Sequence, residues 1–289
     1  MKFGVILPNY GPELSLADLL ACTHTAERLG FDSIWATDHV VTPLPDSDVY
    51  GTIIEALMTL AYLAGCTSSI RLGISTLVLP QRNPVLAAKQ VAALDLLSGG
   101  RAMLSVGLGW SRGEFANLGQ PFENRARRMD EAIRVLRALF EAQEGRPVSL
   151  DGRFYALDKA VFSPAPPQGG DLPIWVAGNS PAAMERAAQL GDGWHPTSLD
   201  VDSFQPLAAR FRASSDKEIA LRLRLAWDSS DANIPLHGSH QEVINTLERY
   251  RAAGLTYALI HFISSGTMSL GDAMERFALQ VVPVLGKAA

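Results

Sequence analysis

The polar pair Asp38-His39 directly follows a short apolar run, Ser33–Ala36, that has the composition of a buried strand. A neutral imidazole can donate or accept a proton near pH 7, and an adjacent carboxylate can tune it. An arbitrary Asp-His dipeptide is more often a solvated loop or a helix cap. At the end of a strand that faces a site, however, the pair is a candidate for proton transfer, with His39 as the catalytic group.

A second candidate is the turn Gly178-Asn179-Ser180-Pro181, which follows the apolar run Pro173–Ala177. Glycine allows close approach of the backbone to a ligand, and Ser180 followed by proline suits the start of a helix. Because free N–H groups at a helix N-terminus attract anions, the turn is a candidate phosphate site. An ordinary helix start explains the same residues, so both interpretations stay open.

A third segment, Gly107-Leu108-Gly109-Trp110, indicates a close approach of backbone to a ligand, with Trp110 offering a flat apolar face. It overlaps a GxSxG pattern that would make Ser111 the nucleophile of a serine hydrolase. Asp228 and His261 follow Ser111 in the chain order that such an enzyme needs. A His-Gly oxyanion pattern is missing upstream, and His261 falls inside an apolar run. The hydrolase is therefore the weaker alternative.

Composition restricts the classes of function. The chain has 289 residues, of which 47% are hydrophobic and 19% charged, and its net charge is −5. These values predict a large buried core and disfavour nucleic-acid binding, which needs a basic face. The longest charge-free stretch, Ala56–Ile70, is too short to span a bilayer, and the expected location is the cytoplasm. Two cysteines and six dispersed histidines provide no metal-binding pattern, so no metal is expected.

Short apolar runs alternate with capped helical patterns along the whole chain. This alternation predicts a single (β/α)₈ barrel domain over residues 1–289, since a doubly wound sheet would need a Gly-rich turn after its first strand. A small hairpin, Pro147–Leu150 with Arg153–Leu157, is expected between the fourth helix and the fifth strand. We predict strands that start at 2, 33, 71, 101, 173, 193, 218 and 257, and helices that start near 15, 53, 83, 124, 180, 202, 239 and 270.

The active site of a (β/α)₈ barrel lies at the C-terminal ends of its strands. This rule gathers Asp38-His39, Gly107 and the turn at Gly178–Ser180 at one face. Ser264-Ser265 would follow the eighth strand. The irregular loops Thr37–Tyr50 and Asp228–His237 are expected to set the substrate, and the second is long enough to act as a lid.

The sequence resembles the bacterial luciferase-like monooxygenase superfamily. The resemblance rests on segments that match in the same order over roughly residues 1 to 200. Two of these segments, Pro173–Pro181 and Gly191–Pro196, are similar to the branch that uses the deazaflavin coenzyme F420. The other matching segments are Gly30–Trp35 with Asp38-His39, Ile70–Gly73, Arg82–Pro84, Leu97–Arg101 and Ser105–Trp110 with Glu114 and Gly119.

This resemblance implies a barrel with a deazaflavin or flavin ring in its mouth. Asp38 and His39 would lie beside the ring, and Ser75-Thr76 would form a non-proline cis peptide behind it. The other residues implied at the cofactor are Gly107, Gly178, Asn179 and Ser180, and those implied at the substrate pocket are Trp110 and Glu114.

One position departs from the pattern of some deazaflavin dehydrogenases. Those enzymes carry a glutamate directly after the Gly-x-Gly, where this chain has Trp110. The departure argues against a sugar-phosphate dehydrogenase and leaves the general acid unassigned.

The expected function is therefore F420-dependent hydride transfer to or from a small organic substrate. An FMN-dependent monooxygenase, with a partner flavin reductase, is the alternative, and a non-catalytic flavin-binding barrel is a further one. A homodimer is implied by the resemblance alone, and neither a nucleic acid nor a membrane is expected as a partner.

Overall fold

The computed structural model describes residues 1–263 and 268–286. Eight parallel strands follow one another around a sheet that closes on itself where β8 pairs with β9, so the predicted barrel is confirmed. The strands in chain order are β1 (Lys2–Ile6), β2 (Ser33–Ala36), β3 (Arg71–Val78), β4 (Ala102–Gly107), β5 (Val148–Asp151), β6 (Ala156–Ala160), β7 (Ile174–Ala177), β8 (Gly193–His195), β9 (Glu218–Trp227), β10 (Leu236–Gly238) and β11 (Tyr257–Phe262).

The helices pack around this barrel, and the predicted caps hold them at their N-termini. The Ser239 side chain and Glu242 form a capping box, while Ser15 accepts the backbone N–H of Asp18. The helices are α1 (Leu16–Arg28), α2 (Ser47–Tyr50), α3 (Ala56–Ala64), α4 (Pro84–Ser98), α5 (Arg112–Asn117), α6 (Arg125–Phe140), α7 (Pro181–Leu190), α8 (Val201–Arg212), α9 (His240–Ala252), α10 (Leu270–Gln280) and α11 (Val282–Leu285). None of the helices within the two described ranges is long and apolar enough to cross a membrane.

Two local predictions need correction. Helix α3 begins at Ala56 rather than near Ile53, because the Glu55 side chain caps it by accepting the N–H of Met58 at 2.7 Å. The hairpin insertion is present as β5 and β6, but its second strand starts at Ala156 rather than at Arg153. The carboxylate of Glu131 accepts the N–H groups of residues 153, 154 and 155, which holds this stretch as a loop.

The loops at the C-terminal ends of the strands are more ordered than predicted. The stretch after β2 contains the short helix α2, and the segment Asp228–His237 runs into β10, which pairs with β9. The expected positions Ser264-Ser265 lie outside the described residues.

The lower interior of the barrel is filled by large aromatic side chains. The rings of Trp35 and Trp175 stack with their centroids 5.0 Å apart, and glycines on neighbouring strands make room for them. A Cβ at Gly73 would lie 2.4 Å from the Trp35 ring, and one at Gly193 would lie 2.6 Å from Trp175. This packing closes the base of the barrel. Inside the barrel, open space for a ligand therefore lies at the C-terminal ends of the strands.

Candidate active site

The side chain of His39 is buried at the end of β2 and contacts Glu114 on α5, the helix that follows β4. Its Nδ1 atom lies 2.9 Å from Oε2 of Glu114. The same carboxylate accepts the N–H of Val40 at 2.7 Å and the side-chain amide of Gln81 at 3.0 Å. Glu114 thus fixes both the imidazole and the backbone that follows it.

The charge of Glu114 determines the hydrogen that His39 presents. Burial alone would raise the pKa of Glu114, but hydrogen bonds from His39, Gln81 and the Val40 N–H lower it to about 2. The carboxylate is therefore ionised at neutral pH and can only accept hydrogen bonds. Consequently Nδ1 of His39 carries a hydrogen, and Nε2 is the atom left for chemistry. Glu114 itself is 1% exposed and engages both oxygens with protein groups.

The side chain of Asp38 is buried and contributes to the structure of β3. One carboxylate oxygen accepts the N–H of Val78 at 3.0 Å, and the other lies 2.6 Å from the guanidinium of Arg82. Burial raises the pKa of Asp38 despite the opposing charge of Arg82. The structure thus gives Asp38 a positioning role at the end of β3, and its contact with a cofactor ring stays a prediction.

The peptide bond between Ser75 and Thr76 is cis, as the resemblance implied, and the pairing of β3 with β4 shifts register there. Gly107 on β4 lies against this bulge, since a Cβ at that position would come within 2.9 Å of the Thr76 methyl group. The hydroxyl of Ser75 lies 3.3 Å from Nε2 of His195 on β8. The structure therefore brings the predicted residues of β3 and β4 together.

Two buried polar atoms beside this bulge have no hydrogen-bond partner: Nδ1 of His195 and the hydroxyl of Ser105. Both side chains are completely buried. Burial and the nearby charge of Arg222 lower the pKa of His195 to about 3, so its ring is uncharged. Unpaired polar atoms inside a protein are costly and usually have a ligand or water as their partner. Sequence analysis placed His195 at the C-terminal end of a strand but assigned it no role.

The predicted phosphate turn is ordered by its own side chains. The amide of Asn179 bridges to the backbone of Thr197, donating to its carbonyl at 2.8 Å and accepting its N–H at 3.0 Å. The hydroxyl of Ser180 accepts the N–H of Ala183, which caps α7. Gly178 has φ +128°, a conformation that favours glycine. Phosphate binding at Gly178, Asn179 and Ser180 stays a prediction.

Trp110 forms part of an aromatic cluster at the rim. Its ring is 54% exposed and lies 5.7 Å from the His39 ring, edge to face. Tyr50 from α2 lies closer to His39, with a centroid distance of 4.5 Å, and Tyr10 follows at 5.3 Å from Tyr50. The cluster forms a wall that runs from His39 towards the centre of the mouth. Sequence analysis placed Tyr10 after the first strand and Tyr50 at the end of the loop expected to set the substrate, but it gave neither tyrosine a role.

An open cavity of about 830 Å³ occupies the mouth of the barrel. None of the predicted cofactor residues on β3, β4 and β7 belongs to its lining, which comes from the opposite side. Sequence analysis missed two arginines on β9. The alternation of charged and apolar residues in this buried strand is the pattern that could have identified them. The main side chains of the lining are Tyr10, Tyr50, Thr197, Arg222, Arg224 and His261.

The residues of the hydrolase alternative do not form a catalytic triad. The hydroxyl of Ser111 caps α5 and donates to Asp46 at 2.9 Å. Asp228 forms a bidentate ion pair with Arg276, and His261 contacts Arg222. Each of the three side chains therefore has a different partner. The GxSxG pattern is a helix start rather than a nucleophile elbow.

Residues 1–234 match the model of the luciferase-like monooxygenase family, so the chain belongs to this family. It is 33% identical over 229 residues to an F420-dependent glucose-6-phosphate dehydrogenase of Beutenbergia cavernae. The match covers 74% of this chain and 66% of the relative. This chain thus spans about two thirds of the length of that relative.

Solved structures share the fold. An F420-dependent secondary alcohol dehydrogenase, in complex with an F420-acetone adduct, superposes with a TM-score of 0.82 at 19% identity and covers 99% of both chains. The oxygenating constituent of 3,6-diketocamphane monooxygenase from the CAM plasmid of Pseudomonas putida, in complex with FMN, gives a TM-score of 0.77 at 15% identity, with 98% of both chains covered. At these identities the similarity shows the fold alone.

Proposed function

We propose that this protein is an F420-dependent oxidoreductase that transfers a hydride to or from a small organic substrate. The observation that carries the proposal is the buried His39–Glu114 pair, which orients one imidazole nitrogen at the mouth of a luciferase-like barrel. The relative from Beutenbergia cavernae, named as an F420-dependent dehydrogenase, supports the choice of cofactor. The substrate differs among such enzymes and is not part of this proposal.

The residues on the β3 side of the mouth fit a deazaflavin ring. The partnerless Nδ1 of His195 and hydroxyl of Ser105 offer hydrogen bonds to a polar edge. Because Gly107 has no side chain, β4 adds no bulk beside the Thr76 methyl group. We propose that the bulge at Ser75-Thr76 backs the ring and that the turn at Gly178–Ser180 holds a phosphate.

When bound, the deazaflavin would supply a hydride acceptor or donor that exchanges two electrons and reacts poorly with oxygen. The protein supplies orientation and proton transfer. Glu114 holds Nδ1 of His39, so Nε2 can donate a proton to, or take one from, an oxygen of the substrate. Tyr50 and Trp110 cover the imidazole on its outer side and limit its contact with water.

A turnover assay tests the proposal with a panel of small alcohols, aldehydes and ketones, some of which carry a carboxylate or phosphate group. The wild-type protein should change the absorbance of F420 with at least one member of the panel. His39→Ala should lower kcat roughly 10²- to 10⁴-fold while binding F420 normally. A non-catalytic barrel would bind the cofactor but show no turnover in either protein, and that outcome would contradict an enzymatic function.

An FMN-dependent monooxygenase is the second candidate, because the structurally similar Pseudomonas putida protein was solved with FMN. The same pocket would then serve reduced FMN and oxygen, and a separate flavin reductase would be the partner. Oxygen consumption with a generic reductase, FMN and the carbonyl panel separates the two candidates. Turnover in this assay alone would favour the monooxygenase.

We also propose that the protein forms a homodimer through α3 and α4. Helix α3 contains no charged residue, yet Met58 is 66% and Tyr62 51% exposed. On the adjacent α4, Leu86 and Leu97 are similarly exposed. A helix that is apolar all round is normally buried.

Analytical sedimentation tests the proposed dimer. Tyr62→Glu should sediment as a monomer, whereas Leu279→Glu on α10 should sediment as the wild type. A monomeric wild type would contradict the proposal.

A further inference from the structure

Strand β9 directs two arginines into the mouth of the barrel. Ala220 belongs to the packed interior of the barrel, and side chains alternate along a strand with a period of two. Arg222 and Arg224 therefore continue the same inward face beyond the packed interior, and both line the cavity of about 830 Å³. The cavity thus receives two permanent positive charges from one strand.

The hydrogen-bond partners of both arginines are uncharged. Arg222 donates to the hydroxyl of Tyr10 at 2.5 Å and lies 3.3 Å from that of Thr37 and 3.4 Å from Nδ1 of His261. Arg224 donates to the backbone carbonyl of Asn233 at 2.7 Å. Over residues 1–263 and 268–286, no ion pair joins either guanidinium to a carboxylate.

The carboxylates near the two arginines are engaged elsewhere. Hydrogen bonds from Asn233 and the charge of Arg224 lower the pKa of Asp231, whose carboxylate accepts the N–H of Asn233 at 2.9 Å. Burial and the two arginines lower the pKa of His261 to about 3, so its ring is uncharged at neutral pH. Asp200 also lines the cavity, but its carboxylate caps α8 by accepting the N–H of Ser203 at 2.7 Å. Because neither arginine is paired with a carboxylate, the two guanidinium groups repel each other, and an anion bound to both would relieve that repulsion.

We infer that Arg222 and Arg224 bind the acidic group, a carboxylate or a phosphate, of the substrate. This inference rests on the proposed function and adds the substrate class to it. Guanidinium groups suit such anions because their planar donors match two oxygens at once. The substrate is accordingly a small organic acid or phosphate ester whose reacting carbon lies at some distance from its charged end.

The position of the pair in the barrel indicates the substrate rather than the cofactor. In the strand order, β9 lies four strands from β3 in both directions, so the arginines face the Ser75-Thr76 bulge across the mouth. A ring backed by that bulge leaves the β9 side to the substrate. The ring contacts from Tyr10 through Tyr50 to His39 form a continuous wall between the arginines and the proposed proton donor.

Calorimetric titration with malonate and with inorganic phosphate tests the inference, using the wild-type protein with and without F420. Arg224→Gln is the main variant, because this side chain is exposed and bonds only one loop carbonyl. Arg222→Met and the charge-conserving Arg222→Lys extend the series, and Arg210→Gln, exposed on α8, is the matched control. Thermal unfolding of each variant shows that it is folded.

We expect at least one of the two anions to bind the wild type, and whichever binds shows which acidic group the pair prefers. Arg224→Gln should weaken that binding roughly tenfold to a hundredfold, and Arg210→Gln should not change it. The Kd for F420 should stay within about twofold in both variants.

Two results would overturn the inference: neither anion binds the wild type, or Arg224→Gln weakens F420 as strongly as the anion. The second result would assign the arginines to acidic groups of the cofactor. Absence of F420 binding to the wild type would instead contradict the proposed function, and the anion titration would still decide whether the arginines form an anion site.

Discussion

The imidazole of His39 and the carboxylate of Glu114 meet at 2.9 Å across 75 residues of sequence. The short helix α5 makes this contact possible, because Ser111 caps it and so places Glu114 in its first turn. Glu114 also accepts the N–H groups of Val40 and Val41, the two residues after His39. One buried carboxylate therefore orders both the ring and the loop that carries it.

Replacing Glu114 by glutamine should misorient His39. The amide can donate as well as accept, so Nδ1 of His39 is no longer held as a donor. We expect kcat to fall roughly tenfold to a hundredfold with little change in the Kd for F420. Nitrogen chemical shifts of the His39 ring should show a mixture of tautomers in the variant and one tautomer in the wild type; unchanged shifts would contradict a positioning role.

Glu114 should also make folding stability depend on pH. Its folded-state pKa is lowered from 4.5 to about 2, so its contribution is complete above pH 4.5 and is lost as the pH falls towards 2. That contribution is roughly 3 kcal/mol at neutral pH. Urea unfolding of the wild type and Glu114→Gln should give a stability difference that shrinks below pH 4.5, and a difference independent of pH would refute this origin.

The buried ion pair of Asp38 with Arg82 should stabilise the end of β3. Asp38→Asn leaves the guanidinium, whose side chain is 16% exposed, without its nearer carboxylate. We expect a loss of roughly 3 kcal/mol in the free energy of unfolding, together with weaker cofactor binding. The exposed pair of Asp202 with Arg249 is the control, since Asp202→Asn should cost less than about 0.5 kcal/mol. Equal effects in the two variants would contradict this account.

Gly73 should be required for the aromatic packing at the base of the barrel. A methyl group there would overlap the Trp35 ring, so Gly73→Ala should lower the free energy of unfolding by about 1–3 kcal/mol. Gly271→Ala in α10, where an added Cβ would lie 3.8 Å from the Ser269 hydroxyl, should be neutral or slightly stabilising. Denaturant unfolding measures both, and a neutral Gly73→Ala would show that the ring can shift.

The barrel was predictable from local sequence because each strand-helix unit carries its own pattern for the strand, the helix cap and the helix. Ser15, Asn83, Ser180 and Ser239 all cap the helices predicted from them. The start of α3 was misplaced because glutamate is an uncommon cap. The start of the second hairpin strand was misplaced because Glu131, which is distant in sequence, holds residues 153–155 as a loop.

The candidate site was only partly predictable. His39 and the cis peptide at Ser75-Thr76 follow from the resemblance, and the latter is present. The role of Glu114 depends on a contact between distant segments, which no local pattern reveals. Arg222 and Arg224 alternate with apolar residues in β9, and His195 ends β8. Only the closed barrel shows that these side chains point into its interior.

Parallel fluorescence titrations of the purified protein with F420 and with FMN test the central claim most directly. We predict saturable binding of F420 with clearly higher affinity than FMN, and quenching of protein fluorescence because Trp35 and Trp175 lie under the mouth. Binding of FMN in preference to F420 would contradict the deazaflavin assignment, and binding of neither would contradict a redox function for this barrel.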